Sequence, residues 1–321
     1  MEVSALPRRP THPGPAGETS SSRRAARFDR TPRSARGSTG ASTRWTWYDR
    51  SMRIALAQIS STRDPEENLA EIGPRVREAA GAGARIVVFP EAGMCCFGTA
   101  LGPVAEPLDG PWASRVRGLA AAAGITVVVG MFTPSGDGRV RNTLLVTGAG
   151  VDTHYDKIHM FDAFGFAESD TVAPGTEPVT VDVPEADGPG ADPVRVGLST
   201  CYDVRFPGLY QRLADAGATV QLVPASWGAG AGKREQWELL VRARALDTGS
   251  FVVACDQADP TTVGREHGKA PTGIGYSLVA GPRGEIVHSL DAAPGVLVAD
   301  VDPAVAAEVR EQIPVLRNRR L

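Results

Sequence analysis

From Met52 onward the sequence alternates between two hydrophobic periods, and that alternation limits the chain to a few architectures. Short, nearly continuous apolar runs read as buried strands: Arg53–Ile59, Arg85–Phe89, Ile125–Met131, Arg141–Thr147, Val194–Ser199, Thr219–Val223 and Phe251–Cys255. Gly275–Ala280, Glu285–Ser289 and Gly295–Val301 add three more, the first two linked by the turn Gly281-Pro282-Arg283-Gly284. Between them lie helical segments. One opens at Asp64-Pro65-Glu66-Glu67 and runs to Ala80, with Pro74 as a kink site; others span Trp112–Ala123, Phe206–Ala216 and Lys233–Thr248, and a last one starts near Pro303. Strands alternating with helices predict a layered α/β domain rather than an all-β barrel. In such folds functional groups gather beyond the carboxyl ends of the strands.

Two stretches escape the pattern. His154–Gly175 reads as a loop rich in aromatic, acidic and histidine residues, and Pro184–Pro193 as an exposed hairpin connection. Residues 1–51 are rich in Arg, Ser, Thr, Gly and Pro without apolar periodicity, which predicts a disordered extension ahead of a domain over 52–321. Arg- and Ser-rich, acid-poor composition also describes an organellar transit peptide, but Pro and Gly oppose the amphipathic helix that one needs. Translation starting at Met52 is a third reading. The net charge of −3 divides into +6 over residues 1–50 and −9 over the remainder. An acidic body of this kind argues against a nucleic-acid partner, and no apolar run approaches the roughly 20 residues that span a bilayer.

Four cysteines, Cys95, Cys96, Cys201 and Cys255, show no C-x-x-C spacing. They suit free thiols in a reducing cytoplasm better than a zinc site or a disulfide framework. A redox role for the vicinal pair Cys95-Cys96 lacks any accompanying motif, and adjacent cysteines seldom form an unstrained disulfide.

Cys201 differs from the others in its placement. It follows a predicted strand and precedes a predicted helix, in Thr200-Cys201-Tyr202-Asp203-Val204-Arg205-Phe206-Pro207. The first N–H groups of a helix lack internal partners and can stabilise a thiolate or a developing oxyanion. Taken alone, a cysteine is more often a small core residue. Glu91 directly follows the strand ending Val88-Phe89-Pro90, where a carboxylate is costly unless paired or solvated. It reads as a helix cap, a rim ion pair or a general base for the thiol. Lys157, in Tyr155-Asp156-Lys157-Ile158-His159, fits a surface charge or an electrophile that steadies an oxyanion. His159 is the rival base, as in Cys-His hydrolases.

These three segments, in this order, resemble the three motif blocks of the nitrilase superfamily of carbon–nitrogen hydrolases. Ile54-Ala55-Leu56-Ala57-Gln58 and Arg242-Ala243-Arg244-Ala245-Leu246-Asp247 are similar to two further blocks. The resemblance implies a four-layer α-β-β-α sandwich, no cofactor, and a homodimer or larger assembly. It implies Glu91 as base, Lys157 as oxyanion-stabilising cation, Cys201 as nucleophile and Glu168 as a second catalytic glutamate. His159 then becomes a supporting residue.

Tyr202-Asp203 with Arg205-Phe206-Pro207 resembles the amidase branch around omega-amidase and deaminated-glutathione amidase, rather than the nitrile hydrolysers, which usually carry Trp after the nucleophile. That resemblance implies a small amide bearing a carboxylate, with Tyr202, Arg205, Ser226 and Trp227 as candidate substrate contacts. Arg205 suits a carboxylate clamp, or an ion pair with Asp203 or a neighbouring loop. Trp227 suits a pocket wall or packing under its own loop. The loop Met160–Gly165 reads shorter than in those amidases, and the glycines after Trp227 lack the Lys-Ser/Thr ending of a phosphate loop. An N-carbamoyl amide hydrolase would use the same catalytic residues. A non-catalytic binding or scaffold module on this fold would need none of the three together.

Overall fold

A computed structural model describes residues 51–163, 165–184 and 192–320. The expectations for residues 1–50, and for most of the Pro184–Pro193 connection, lie outside the described residues. In chain order the elements begin β1 (Met52–Gln58), α1 (Pro65–Gly81), β2 (Ile86–Val88), α2 (Pro111–Ala123), β3 (Thr126–Pro134), β4 (Val140–Gly148) and β5 (Val151–Asp156). A small ribbon follows, β6 (Asp162–Ala163) and β7 (Phe166–Ala167). Then come β8 (Thr180–Val183), β9 (Val194–Leu198), α3 (Pro207–Asp215), β10 (Val220–Ala225), α4 (Lys233–Thr248) and β11 (Phe251–Asp256). The chain ends with β12 (Leu278–Ala280), β13 (Ile286–Ser289), β14 (Gly295–Val301), α5 (Pro303–Gln312) and α6 (Val315–Asn318).

Two six-stranded sheets result, in the orders β14-β1-β2-β3-β4-β5 and β8-β9-β10-β11-β12-β13. In each, three central strands are parallel, one antiparallel strand flanks one side and two flank the other. The halves thus repeat one topology although their sequences show no repeat.

Strand alternation sorts the side chains into layers. Met52, Ile54 and Leu56 of β1 and Ile86 and Val88 of β2 pack against Val220, Leu222 and Val253 of the other sheet. Ala55, Ala57 and Val87 point the opposite way, onto Leu69, Ile72 and Val76 of α1 and Trp112 and Val116 of α2. Val223, Ala225, Val252 and Ala254 likewise meet Leu209 and Leu213 of α3 and Trp237 and Val241 of α4. This is the four-layer α-β-β-α sandwich. Each fully buried aliphatic side chain stabilises it by about 1.5–3 kcal/mol.

Two helix predictions are refined. Asp64 caps α1, its side chain accepting from the Glu66 N–H at 2.8 Å, and the helix runs through Pro74 as one element. Cys201–Arg205 forms a separate 3₁₀ turn before α3 begins at Pro207. The loop expected from His154 to Gly175 starts instead with the end of β5, an edge strand. Its outward residues Asp152 and His154 are exposed, so little apolar signal marks it.

Candidate active site

Glu91, Lys157 and Cys201 each leave the end of a strand, and the sandwich brings them together with Glu168. All four are buried, at 1%, 3%, 9% and 4% exposure. The chain leaves β2 through Phe89-Pro90 into a turn in which Ala92 adopts φ 57°. This turn lies flat on β3, and a Cβ on Gly130 would stand 2.6 Å from the Ala92 nitrogen. Only glycine permits that approach. Both Glu91 oxygens are held: Oε1 accepts from Asn142 Nδ2 at 2.7 Å and Lys157 Nζ at 3.0 Å, and Oε2 from the Ser226 N–H at 2.9 Å.

Lys157 directly follows β5. Its ammonium also donates to Glu168 Oε1 at 3.0 Å and Oε2 at 2.9 Å, and Glu168 Oε2 accepts the Phe161 N–H at 2.7 Å. Burial works against the ammonium charge, but Glu91 and Glu168 outweigh it and hold Lys157 protonated well above the ordinary lysine range.

Cys201 opens its 3₁₀ turn with φ 47°, a left-handed conformation unusual for a residue with a side chain. Asp203 anchors the turn from beneath. It is fully buried; its Oδ2 accepts from the Thr200 N–H at 2.8 Å and the Tyr155 hydroxyl at 2.7 Å. Its Oδ1 accepts the His159 N–H at 3.0 Å and faces His159 Nδ1 at 2.7 Å. The Cys201 Sγ has a long contact to the Ser226 carbonyl, 3.9 Å, and lies within hydrogen-bonding reach of Glu91.

The electrostatics bear on the thiolate expectation. Burial, then the Glu91 charge, push the Cys201 thiol well above its ordinary range, with Lys157 pulling the other way. Burial likewise raises Glu91, opposed by Lys157 and assisted by Glu168. Burial and Glu91 together thus favour the neutral thiol over the thiolate. A raised carboxylate beside a neutral thiol has the polarity of a base and its proton donor.

A cavity of about 850 Å³ opens over this cluster, lined by all four residues and by Tyr202, Arg205, Ser226 and Trp227. Each candidate substrate contact thus borders the cavity. Ser226 turns its hydroxyl to the Pro271 carbonyl at 2.9 Å and takes part through its backbone. Trp227 both walls the cavity and packs on Trp237, with ring centroids 5.2 Å apart. The alternative ion pair between Arg205 and Asp203 is not formed. Asp203 is committed to Tyr155, Thr200 and His159, and Arg205 donates to Gln236 Oε1 at 2.8 Å. His159 stacks on Phe206, centroids 3.7 Å apart, and faces Asp203 rather than the cavity. Cys95 is buried, and burial pushes its thiol up to about 11.

The family profile described as carbon-nitrogen hydrolase matches residues 53–311. The chain belongs to the carbon-nitrogen hydrolase family. It is 58% identical over 276 residues to a protein named as a hydrolase from Mycobacterium tuberculosis, covering 84% of this chain and 95% of that one. It is 32% identical over 276 residues to the omega-amidase of Xenopus tropicalis, with the same coverage. Among solved structures it is similar to a variant of the amidase of Nesterenkonia sp. AN1, at 26% identity and TM-score 0.67, over 84% of this chain and 94% of that chain. That structure shows the acetamide moiety of fluoroacetamide added covalently at the active-site cysteine.

Several residues of this carbon-nitrogen hydrolase's site carry no motif signal. Asn142, from β4, holds Glu91. Gln257 donates to the Glu91 carbonyl at 2.9 Å and to Ser61 Oγ at 2.8 Å. Asp256, fully buried, accepts the Trp227 N–H at 2.7 Å and the Ile274 N–H at 2.9 Å, clamping two cavity loops together. A polar residue inside or directly after a buried strand is the signal that flagged Glu91, and it applies equally to Asn142, Asp256 and Gln257. Among the described residues, no cluster of three or more His, Cys, Asp or Glu is arranged to hold a metal ion.

Proposed function

We propose that the protein hydrolyses the amide C–N bond of a small, carboxylate-bearing amide, releasing ammonia through a cysteine thioester. The observation that carries this reading is the Lys157 ammonium held between Glu91 and Glu168 beside a buried neutral thiol. A binding module has no use for such a costly cluster of buried charges. The names of the amidase relatives support the same class.

In this mechanism Glu91 takes the Sγ proton as sulfur attacks the amide carbon. The carbonyl oxygen becomes an oxyanion facing Lys157 Nζ and the Tyr202 N–H. One such donor contributes about 100- to 1000-fold in rate. As the C–N bond breaks, Glu91 returns the proton to nitrogen and ammonia leaves. Water, deprotonated by Glu91, then attacks the thioester; the C–S bond breaks, the acid departs and the thiol regains its proton. Glu168 acts through Lys157, keeping the ammonium charged and aimed.

Ammonia release across ω-amides with and without a carboxylate, N-carbamoyl compounds and nitriles tests the proposal. Carboxylate-bearing amides should be turned over best, and Cys201→Ala should reduce that turnover to background while keeping the melting temperature. Turnover by Cys201→Ala, or a preference for nitriles, would overturn it.

A further inference from the structure

Trp227 organises a part of the cavity that the bond-breaking steps leave unused. Its backbone N–H is fixed by Asp256, and its indole N–H donates to the Lys233 carbonyl at 3.0 Å. Between the two residues the chain passes through Gly228, Gly230 and Gly232. Gly230 at φ 143° and Gly232 at φ 72° occupy conformations that favour glycine. These glycines fold the loop back on itself, so that the Lys233 ammonium returns to 6.0 Å from the Trp227 ring centroid. The Arg205 guanidinium stands 5.3 Å from the same centroid and donates to Gln236, an uncharged partner. Both cations line the cavity that holds Cys201.

The charges explain what this pair is for. Glu91, Glu168 and Lys157 leave one net negative charge around the thiol, which repels an anionic substrate. Two cations at the Trp227 wall oppose that charge, and Arg139, Asp170 and Lys269 line the same cavity. Burial, then the Arg205 charge, hold the Lys233 ammonium below the ordinary lysine range. An anion beside them offsets the repulsion between the two cations.

We propose that Lys233 and Arg205 together form a carboxylate subsite at the Trp227 wall, and that Lys233 selects amides carrying one carboxylate away from the scissile bond. The proposal rests on the amidase reading for its substrate class, but it can be tested by binding alone. Succinamate and butyramide, which differ in the terminal carboxylate, are titrated by calorimetry into Cys201→Ala protein with and without Lys233→Met or Lys233→Arg.

Succinamate should bind more tightly than butyramide. Lys233→Met should weaken succinamate about tenfold more than butyramide, as expected for losing a hydrogen bond to a charged group. Lys233→Arg should restore most of the difference. Equal weakening of both ligands, or no preference for succinamate in the parent protein, would overturn the subsite. Ammonia release by the protein with Cys201 in place is read separately: its absence would overturn the amidase reading while leaving the binding result standing.

Discussion

Glu168 grips the Lys157 ammonium with both carboxylate oxygens, at 3.0 and 2.9 Å, while Glu91 approaches the same nitrogen with one, at 3.0 Å. The two acids are therefore unequal. Glu168 gives both oxygens to Lys157 and shares one with the Phe161 N–H, while Glu91 divides its oxygens among Lys157, Asn142 and the Ser226 N–H.

Glu168→Gln removes a negative charge that raises Glu91. A base works only when deprotonated, so activity rises with pH through the Glu91 pKa. That limb should lie above the ordinary carboxylate range and move to lower pH in the variant. The rate should also fall, by about 10-fold or more, because Lys157 loses an anchoring charge. A pH–rate profile of kcat/KM checks both, and an acid limb that stays in place would refute the coupling. The stability sign differs. A folded pKa raised above the unfolded one stabilises below the unfolded value and is lost as pH rises through the folded value. Lys157 therefore stabilises across neutral pH and loses that contribution only above the ordinary lysine range.

Asp203→Ala should be more damaging than its distance from bond-breaking suggests. It would leave the Tyr155 hydroxyl and the Thr200 and His159 N–H groups without their acceptor beneath the Cys201 turn. We expect a loss of about 3 kcal/mol or more, against about 1–3 kcal/mol for Tyr155→Phe. Urea unfolding measures the two. A smaller effect for Asp203→Ala than for Tyr155→Phe would contradict the anchoring role.

Gly130→Ala is a backbone test of the Glu91 turn. The added methyl would meet the Ala92 nitrogen at 2.6 Å and Glu91 backbone atoms at 3.1 Å, none of which can rotate aside. Overpacking of this kind costs about 1–3 kcal/mol. It should displace Glu91 and lower kcat, whereas Gly136→Ala, at an open turn, is strained only by its φ of 85°. Thermal melts and steady-state kinetics on both variants separate the two causes.

Much of this was legible in the sequence because the apolar runs of β1, β2, β9, β10 and β11 are local patterns. Strand ends placed Glu91 and Cys201 correctly for the same reason. Edge strands β5 and β8 carry few apolar residues and left little trace. The Cys201 turn is legible between a strand and a helix, but its anchoring by Asp203 draws on Tyr155 and His159, far away in sequence. Asn142 and Gln257 hold Glu91 across 51 and 166 positions, and no local periodicity records such a contact. Lys233 looked like an ordinary first residue of a helix. Only the fold-back of Gly228–Gly232 makes it part of the cavity.

Among the described residues the last strand, β14, pairs with the first, Met52 opposite Val301, so the sheet that carries Glu91 is completed by residues far along the sequence from it. Its other catalytic half hangs from β9 and β10, between those two strands in sequence. Closing a loop of that length costs entropy that must be lost before any contact offsets it. Turnover thus reports on β1 and β14 having met across nearly the whole described chain.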